Sequence, residues 1–136
     1  MFRVRSKMTL VLASTFLAGS AMAAELNDAE IKDLLSGKTV YVETTSASST
    51  GTAGKGVLYY APDGSILYKT PGGAMWHGKS AIKDHTNCSN WKEAPNAPCS
   101  KYDKQGDTVA VLNAATGQVR GKIVKTAPGN VEKVAP

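Results

Sequence analysis

The chain of 136 residues has few of the residue types on which catalytic and metal sites usually depend. It contains two cysteines and two histidines, His77 and His85. It has no C-x-x-C pair, no C-x-x-C-H haem motif, no G-x-S-x-G nucleophile turn and no glycine-rich phosphate loop. Since two imidazoles with no acidic or thiolate cluster make a poor site, we predict no catalytic residues, no metal and no cofactor.

Long apolar runs are missing as well, apart from one short stretch near the start. Three basic residues precede "MTLVLASTFLAG", and "AMA" ends at Ala23. This is the layout of a secretory signal peptide, whose apolar core is too short for a spanning helix. We predict a signal peptide over residues 1–23 and a single β-barrel domain over 24–136, with no membrane span after cleavage. The expected location is the periplasm of a Gram-negative bacterium or the medium outside it; an uncleaved anchor is the alternative.

A strong net charge is absent once that segment is removed. The full chain carries 16 basic and 11 acidic residues, a net charge of +5. Three of the basic residues lie within residues 1–23, so the exported form has 13 against 11, a net charge of +2. Its lysines are scattered singly, which is typical of a solvated surface. We therefore expect no nucleic-acid partner.

The two cysteines, Cys88 and Cys99, form an even pair in a chain predicted to be exported, which favours a disulfide. His85 and Cys88 also have a spacing that a soft metal could use, but the disulfide is the better use of Cys88. The enclosed "SNWKEAPNAP" predicts a stapled loop at the rim of the fold. Trp91 on that loop is a candidate partner-binding residue if exposed. The alternative is that it packs back onto the fold.

Local patterns predict one helix followed only by strands and turns. Asn27 and Glu30 make a capping-box pair, an apolar stripe begins at Ile31, and Gly37 suits the end of the helix. Short strand-like segments separated by turn residues then run to the C-terminus. The predicted fold class is mainly β: a small antiparallel β-barrel or sandwich with one N-terminal helix and one disulfide.

The clearest hairpin is "LYYAPDGSILY", residues 58–68. A type I turn at Pro62 with Gly64 in the left-handed conformation pairs Tyr60 with Ile66 and Leu58 with Tyr68. We assign that apolar face to the interior. The other face, which carries Val57, Tyr59, Leu67 and Lys69, is only part apolar and is expected to lie under the N-terminal helix; an exposed aromatic recognition patch is the alternative.

The strings "GKTVYVE", "GVLYYAPDGSI", "MWHGKSAI", the Cys pair, "GDTVAVLNAATGQ" and "IVKTAPGN" together resemble a family of small exported proteobacterial proteins. These are regarded as lipocalin-like β-barrels of unknown function. The chain departs from the family pattern at Val42, where the family usually has Gly, and in the Gly-Ala-Met that precedes Trp76. The resemblance implies a barrel and supplies no activity.

Three functions compete on this sequence. A non-catalytic barrel would bind a small apolar molecule at a mouth lined by Trp76, Tyr60 and Tyr68. A protein-interaction module would use loops to inhibit a cell-wall lytic enzyme or to act on a host factor, although the chain lacks the Ser-Gly-x-Tyr loop of periplasmic lysozyme inhibitors. An enzyme is the third alternative. We expect a non-catalytic barrel that binds a small apolar molecule or a protein partner, and the sequence does not indicate an oligomeric state.

Overall fold

A computed structural model describes residues 23–135 of the chain. The predicted signal peptide therefore lies outside the described residues, except for Ala23. The elements within this part of the chain are β1 (Ala24–Glu25), α1 (Asp28–Leu35), β2 (Lys38–Thr44), β3 (Gly54–Tyr60), β4 (Ser65–Lys69), β5 (Met75–Lys83), β6 (Thr86–Trp91), β7 (Ser100–Gln105), β8 (Thr108–Asn113) and β9 (Val119–Pro128).

Strands β2 to β9 form a closed antiparallel barrel of eight strands. Each strand pairs with the next along the chain, and β9 returns to pair with β2. The predicted fold class is confirmed: the chain is mainly β, with one helix before the barrel and one disulfide. Side chains alternate between the inside and the outside of the barrel, as β3 shows in its buried Leu58 and Tyr60. Among the described helices, none has the length and apolar character needed to cross a membrane.

The predicted hairpin is confirmed in its register. Leu58 lies opposite Tyr68 and Tyr60 opposite Ile66. The turn is closed by the Ala61 amide, which donates to the Ser65 carbonyl over 2.8 Å. Gly64 has a φ of +93°, a backbone conformation that residues other than glycine rarely adopt. The apolar face of the hairpin points into the barrel.

The helix forms as predicted but lies elsewhere than expected. Asn27 and Glu30 make the reciprocal hydrogen bonds of a capping box, and Gly37 has a φ of +70°. The helix contacts β2 and β5, which are not neighbours in the barrel, so it lies across the barrel end. The expectation that it covers the outer face of the hairpin was wrong. Its stripe, Ile31 and Leu35, enters the main core instead, because an open barrel end exposes more apolar surface than one strand pair.

This helix-capped end is tightly closed. Ile31, Leu35 and Ile66 are each no more than 1 % exposed. Burying a side chain of this size stabilises the fold by about 1.5–3 kcal/mol. The Asp28 carboxylate accepts a hydrogen bond from the backbone amide of His85, in the β5–β6 turn, over 2.7 Å. The helix is thereby fixed to the barrel by both apolar and polar contacts.

One seam of the barrel is weakly paired. Strands β6 and β7 share a single registered pair, Asn87 with Ser100. The predicted disulfide between Cys88 and Cys99 is confirmed and lies immediately beside that pair, with the two Cα atoms 4.2 Å apart. Because β6 begins at Thr86, it does not reach further along β7, where β1 pairs with Asp103 and Lys104 instead. The disulfide therefore joins the two strands at this seam, and β1 pairs with a part of β7 that β6 does not reach.

Candidate functional site

The end of the barrel away from the helix is bordered by the connections 45–53, 70–74, 92–99 and 114–118. A cavity of about 90 Å³ lies at this end and opens to solvent. One water molecule needs about 10–15 Å³ of such space, whereas pockets for drug-sized molecules have roughly 300–1,000 Å³. The cavity therefore has room for a compact group of a few heavy atoms.

Apolar and polar side chains divide the cavity wall. The apolar part comes from inward-facing positions of the strands and includes Val40, Val42, Leu58, Tyr68, Trp91, Val111 and Ile123. The polar part comes from the 45–53 connection and from the first residues of β7 and β9, and includes Ser48, Ser49, Thr50, Ser100 and Arg120. The wall is thus amphipathic, with its polar groups next to the connections at the mouth.

Three aromatic rings form a cluster beside the cavity. The Tyr68 ring lies 5.7 Å from that of Trp91 and 6.1 Å from that of Trp76, and the two tryptophans are 5.8 Å apart. Glycines make room for them: a Cβ on Gly56 would lie 2.7 Å from the Tyr68 ring, and one on Gly78 would lie 2.9 Å from the Trp91 ring. These close contacts hold the three rings in place beside the cavity.

The predicted ligand-binding residues are brought together in part. Tyr60 and Tyr68 line the cavity. Trp76 is half-buried and contacts the other two rings without belonging to the lining. Their role in binding a ligand stays a prediction, but the structure gathers all three in one barrel interior.

The suggestion that Trp91 is an exposed partner-binding residue needs correction. Trp91 is the last residue of β6 and not part of the loop, and it lies opposite Gly78 in the sheet. Its side chain is 6 % exposed and packs against Tyr68 and Trp76. The pairing with a glycine gives the indole a place inside the barrel, so the alternative of inward packing matches the structure.

Arg120 is the most unusual residue of the cavity. It is 8 % exposed, although charged side chains are seldom buried without a partner of opposite charge. Its guanidinium donates from Nη1 to the Ser49 hydroxyl over 3.2 Å and to the Pro98 carbonyl over 3.4 Å, and from Nη2 to the Ser100 hydroxyl. Its Nε is buried with no hydrogen-bond partner. All of these acceptors are neutral.

No carboxylate compensates this cation. The 11 acidic residues of the chain all lie within residues 25–132, and none of them lines the cavity. Two buried phenols, Tyr60 and Tyr102, lie close enough to interact electrostatically with its charge. Burial raises the pKa of each, so both hydroxyls stay neutral at neutral pH. Burial in turn lowers the pKa of Arg120, a measure of how poorly its charge is solvated.

The mouth connections are held in place around Arg120. Thr45 donates its backbone amide to the Arg120 carbonyl over 3.0 Å, and the run 45–53 folds as turns with internal hydrogen bonds. On the other side, Glu93 accepts hydrogen bonds from the His77 amide over 2.8 Å and pairs with the His77 ring over 2.7 Å. The disulfide ties the far end of the 92–99 loop. The polar rim is thus built on anchored segments.

A second space, a cleft of about 150 Å³, lies at the closed end between the helix and the β3–β4 turn. Its walls include Lys32, Ser36, Pro62 and Ser80. In the described part of the chain, the buried side-chain atom left without a hydrogen bond is Arg120 Nε, and Arg120 does not line this cleft. At about 150 Å³ the cleft is also smaller than a pocket for a drug-sized molecule, and it holds no buried charge.

Arg120 was not among the residues predicted from the sequence, although a signal was present. Beyond the predicted signal peptide the chain has 12 lysines and a single arginine. Lysine fills the basic positions where a solvated charge suffices. Arginine stands out because its planar group makes several directed hydrogen bonds and tolerates burial better. The single arginine among twelve lysines was therefore the signal in the sequence for a buried cation.

Comparisons with protein-family models, with curated proteins and with solved structures each found no match.

Proposed function

We propose that this protein is a non-catalytic binding protein that takes a small molecule into the open end of its barrel. The observation that supports this most is the amphipathic cavity, whose apolar and aromatic wall meets a buried polar group at an opening to solvent. Small-molecule sites typically combine such an apolar lining with a few fixed polar groups. We further propose that it acts after export, in the periplasm or outside the cell.

The side chains that line the cavity favour ligand binding over catalysis. The lining offers hydroxyl and guanidinium hydrogen-bond donors together with apolar surface. A general base would normally be a histidine or a carboxylate within reach of the substrate, and the described lining contains neither. Fixed donors that orient a ligand are what a binding site requires.

Tryptophan fluorescence tests this proposal, because Trp91 lies in the wall and Trp76 packs against it. We would titrate the exported form, residues 24–136 with its disulfide formed, with a panel of short amphipathic molecules. Saturable quenching or a shift of the emission maximum is expected for part of the panel. A flat response to every compound, confirmed by native mass spectrometry of the same mixtures, would contradict the proposal.

A matched pair of variants tests whether the ligand binds inside the barrel. Val111 lines the cavity, so Val111→Phe is expected to fill it and lower affinity at least tenfold. Val124 lies on the outside of β9 and is 37 % exposed, so Val124→Phe is expected to bind as the wild type does. Equal affinities for the two variants would show that the ligand sits elsewhere.

A further inference from the structure

We propose that the ligand is a compact monoanion, a carboxylate with a short apolar body, whose negative group is bound by Arg120. This inference rests on the proposed function, since it names the chemistry of the molecule that the cavity takes. Arg120 lines that cavity, is 8 % exposed and keeps an unused donor at Nε.

The first step concerns charge. A buried cation without a counter-ion is costly, because desolvation is not repaid by a nearby opposite charge. No acidic residue lines the cavity, so the protein itself supplies no negative charge there. An anionic ligand supplies it on binding. Lys122 also lines the cavity but pairs with Glu43 over 3.4 Å, so Arg120 is the cation of the described lining that lacks an acidic partner, and its single charge matches a singly charged group better than a dianion.

The second step concerns geometry. Ser49, Ser100 and the Pro98 carbonyl fix the guanidinium through its two terminal nitrogens. A carboxylate pairs with two parallel N–H groups of such a group, and charge-assisted bonds of this kind are about twice as strong as neutral ones. The two serine hydroxyls can also turn to donate, since a hydroxyl serves as donor and acceptor. The site is therefore pre-organised for an oxygen anion.

The third step concerns size and the other end of the ligand. A volume of about 90 Å³ admits a short chain beside the carboxylate. The apolar part of the lining includes Val42, Val111 and Trp91, which suits methylene groups and not a second charge. The expected ligand class is thus a short-chain carboxylate, or a longer molecule whose carboxylate end enters the barrel.

The test compares probes of one shape and different charge: butanoate, butan-1-ol, butylamine and butyl phosphate, measured by titration calorimetry at neutral pH. Butanoate is expected to bind at least tenfold more tightly than butan-1-ol, with butylamine weaker still. Equal affinity for acid and alcohol would overturn the anion assignment while leaving small-molecule binding intact. Tighter binding of butyl phosphate would overturn the choice of a carboxylate. Binding of none of the four, while other compounds quench the tryptophans, would also overturn the inference.

Two variants then locate the headgroup. Arg120→Gln is expected to remove the preference of acid over alcohol, whereas Lys125→Gln, on the exposed outer face of β9, is expected to keep it. Should Arg120→Gln fail to fold, the wild-type comparison still stands, and the Arg120 Nε–H resonance in a ¹⁵N spectrum provides the location. A shift of that resonance with butanoate and not with butan-1-ol supports the assignment. An unmoved resonance under saturating butanoate contradicts it.

Discussion

The two ends of this barrel differ in what they bury: apolar side chains at one end and a charged side chain beside a cavity at the other. At the helix end, Ile31, Leu35 and Ile66 are each no more than 1 % exposed and fill the space between the strands, and the cleft that remains lies between the helix and the β3–β4 turn. At the other end, the same strands leave a cavity and bury the charge of Arg120 among neutral acceptors. The first arrangement stabilises the fold, whereas the second costs stability. Under the proposed function a bound ligand would offset that cost, so the contrast separates the end that stabilises the fold from the end proposed to bind the ligand.

The largest effect is expected from alkaline pH, which acts on both ends. Burial raises the pKa of Tyr68 from 10.0 to about 12, and also raises the pKa of Tyr60 and Tyr102. The unfolded chain therefore loses these protons first. The stability that the neutral phenols contribute is present below about pH 10 and is lost as pH rises through the folded values. We expect the denaturation midpoint to fall steadily above pH 10 and the phenolate absorbance to rise together with unfolding. Buried tyrosines that ionise without unfolding would contradict this.

Truncation at the closed end is expected to have the next largest effect. Leu35 is 1 % exposed, so Leu35→Ala should lower the free energy of unfolding by about 3 kcal/mol through lost contacts and the space left behind. Leu34, half-buried on the same helix, provides the control, and Leu34→Ala should cost about 1 kcal/mol. Urea denaturation measures both. Similar costs would mean that the helix does not plug the barrel end as described.

The smallest effect is expected at the open end. Arg120→Met removes a buried charge that lacks a counter-ion and keeps the volume of the side chain. Replacing buried charges in this way is often neutral or stabilising, so the free energy of unfolding should stay within about 1 kcal/mol of wild type or rise. Urea denaturation of the ligand-free protein is the measurement. A loss above about 2 kcal/mol would show that Arg120 serves mainly to fasten the mouth connections, and would remove the contrast between the ends.

The sequence was most informative where neighbours along the chain determine the structure. The capping box at Asn27 and the turn at Gly64 depend on residues within a few positions of one another, and both formed as predicted. The place of the helix depended on which barrel end lacked a cover, which no local pattern contains. Trp91 was misplaced for a similar reason, because the glycine that receives it, Gly78, lies on another strand.

The candidate site was predictable only in its aromatic half. Alternation along the hairpin directs Tyr60 and Tyr68 inward, and both reach the cavity. The polar half joins Ser49, Ser100 and Arg120, which are far apart in the chain and meet only when the barrel closes. The lone arginine in the sequence signalled an exceptional position, but its surroundings could be known only from the closed barrel.

The weakly paired seam has a consequence for how this protein behaves among copies of itself. A strand edge with free amide and carbonyl groups is a template on which another chain can add a strand, and closed barrels avoid aggregation because they have no such edge. Here β6 begins at Thr86 and pairs with β7 only at Ser100, and Ala24 and Glu25 pair with Lys104 and Asp103 on the edge of β7 that β6 does not reach. The two-residue strand β1 is too short to add to the core, but it covers this edge of β7 and thereby hinders association of two barrels through it.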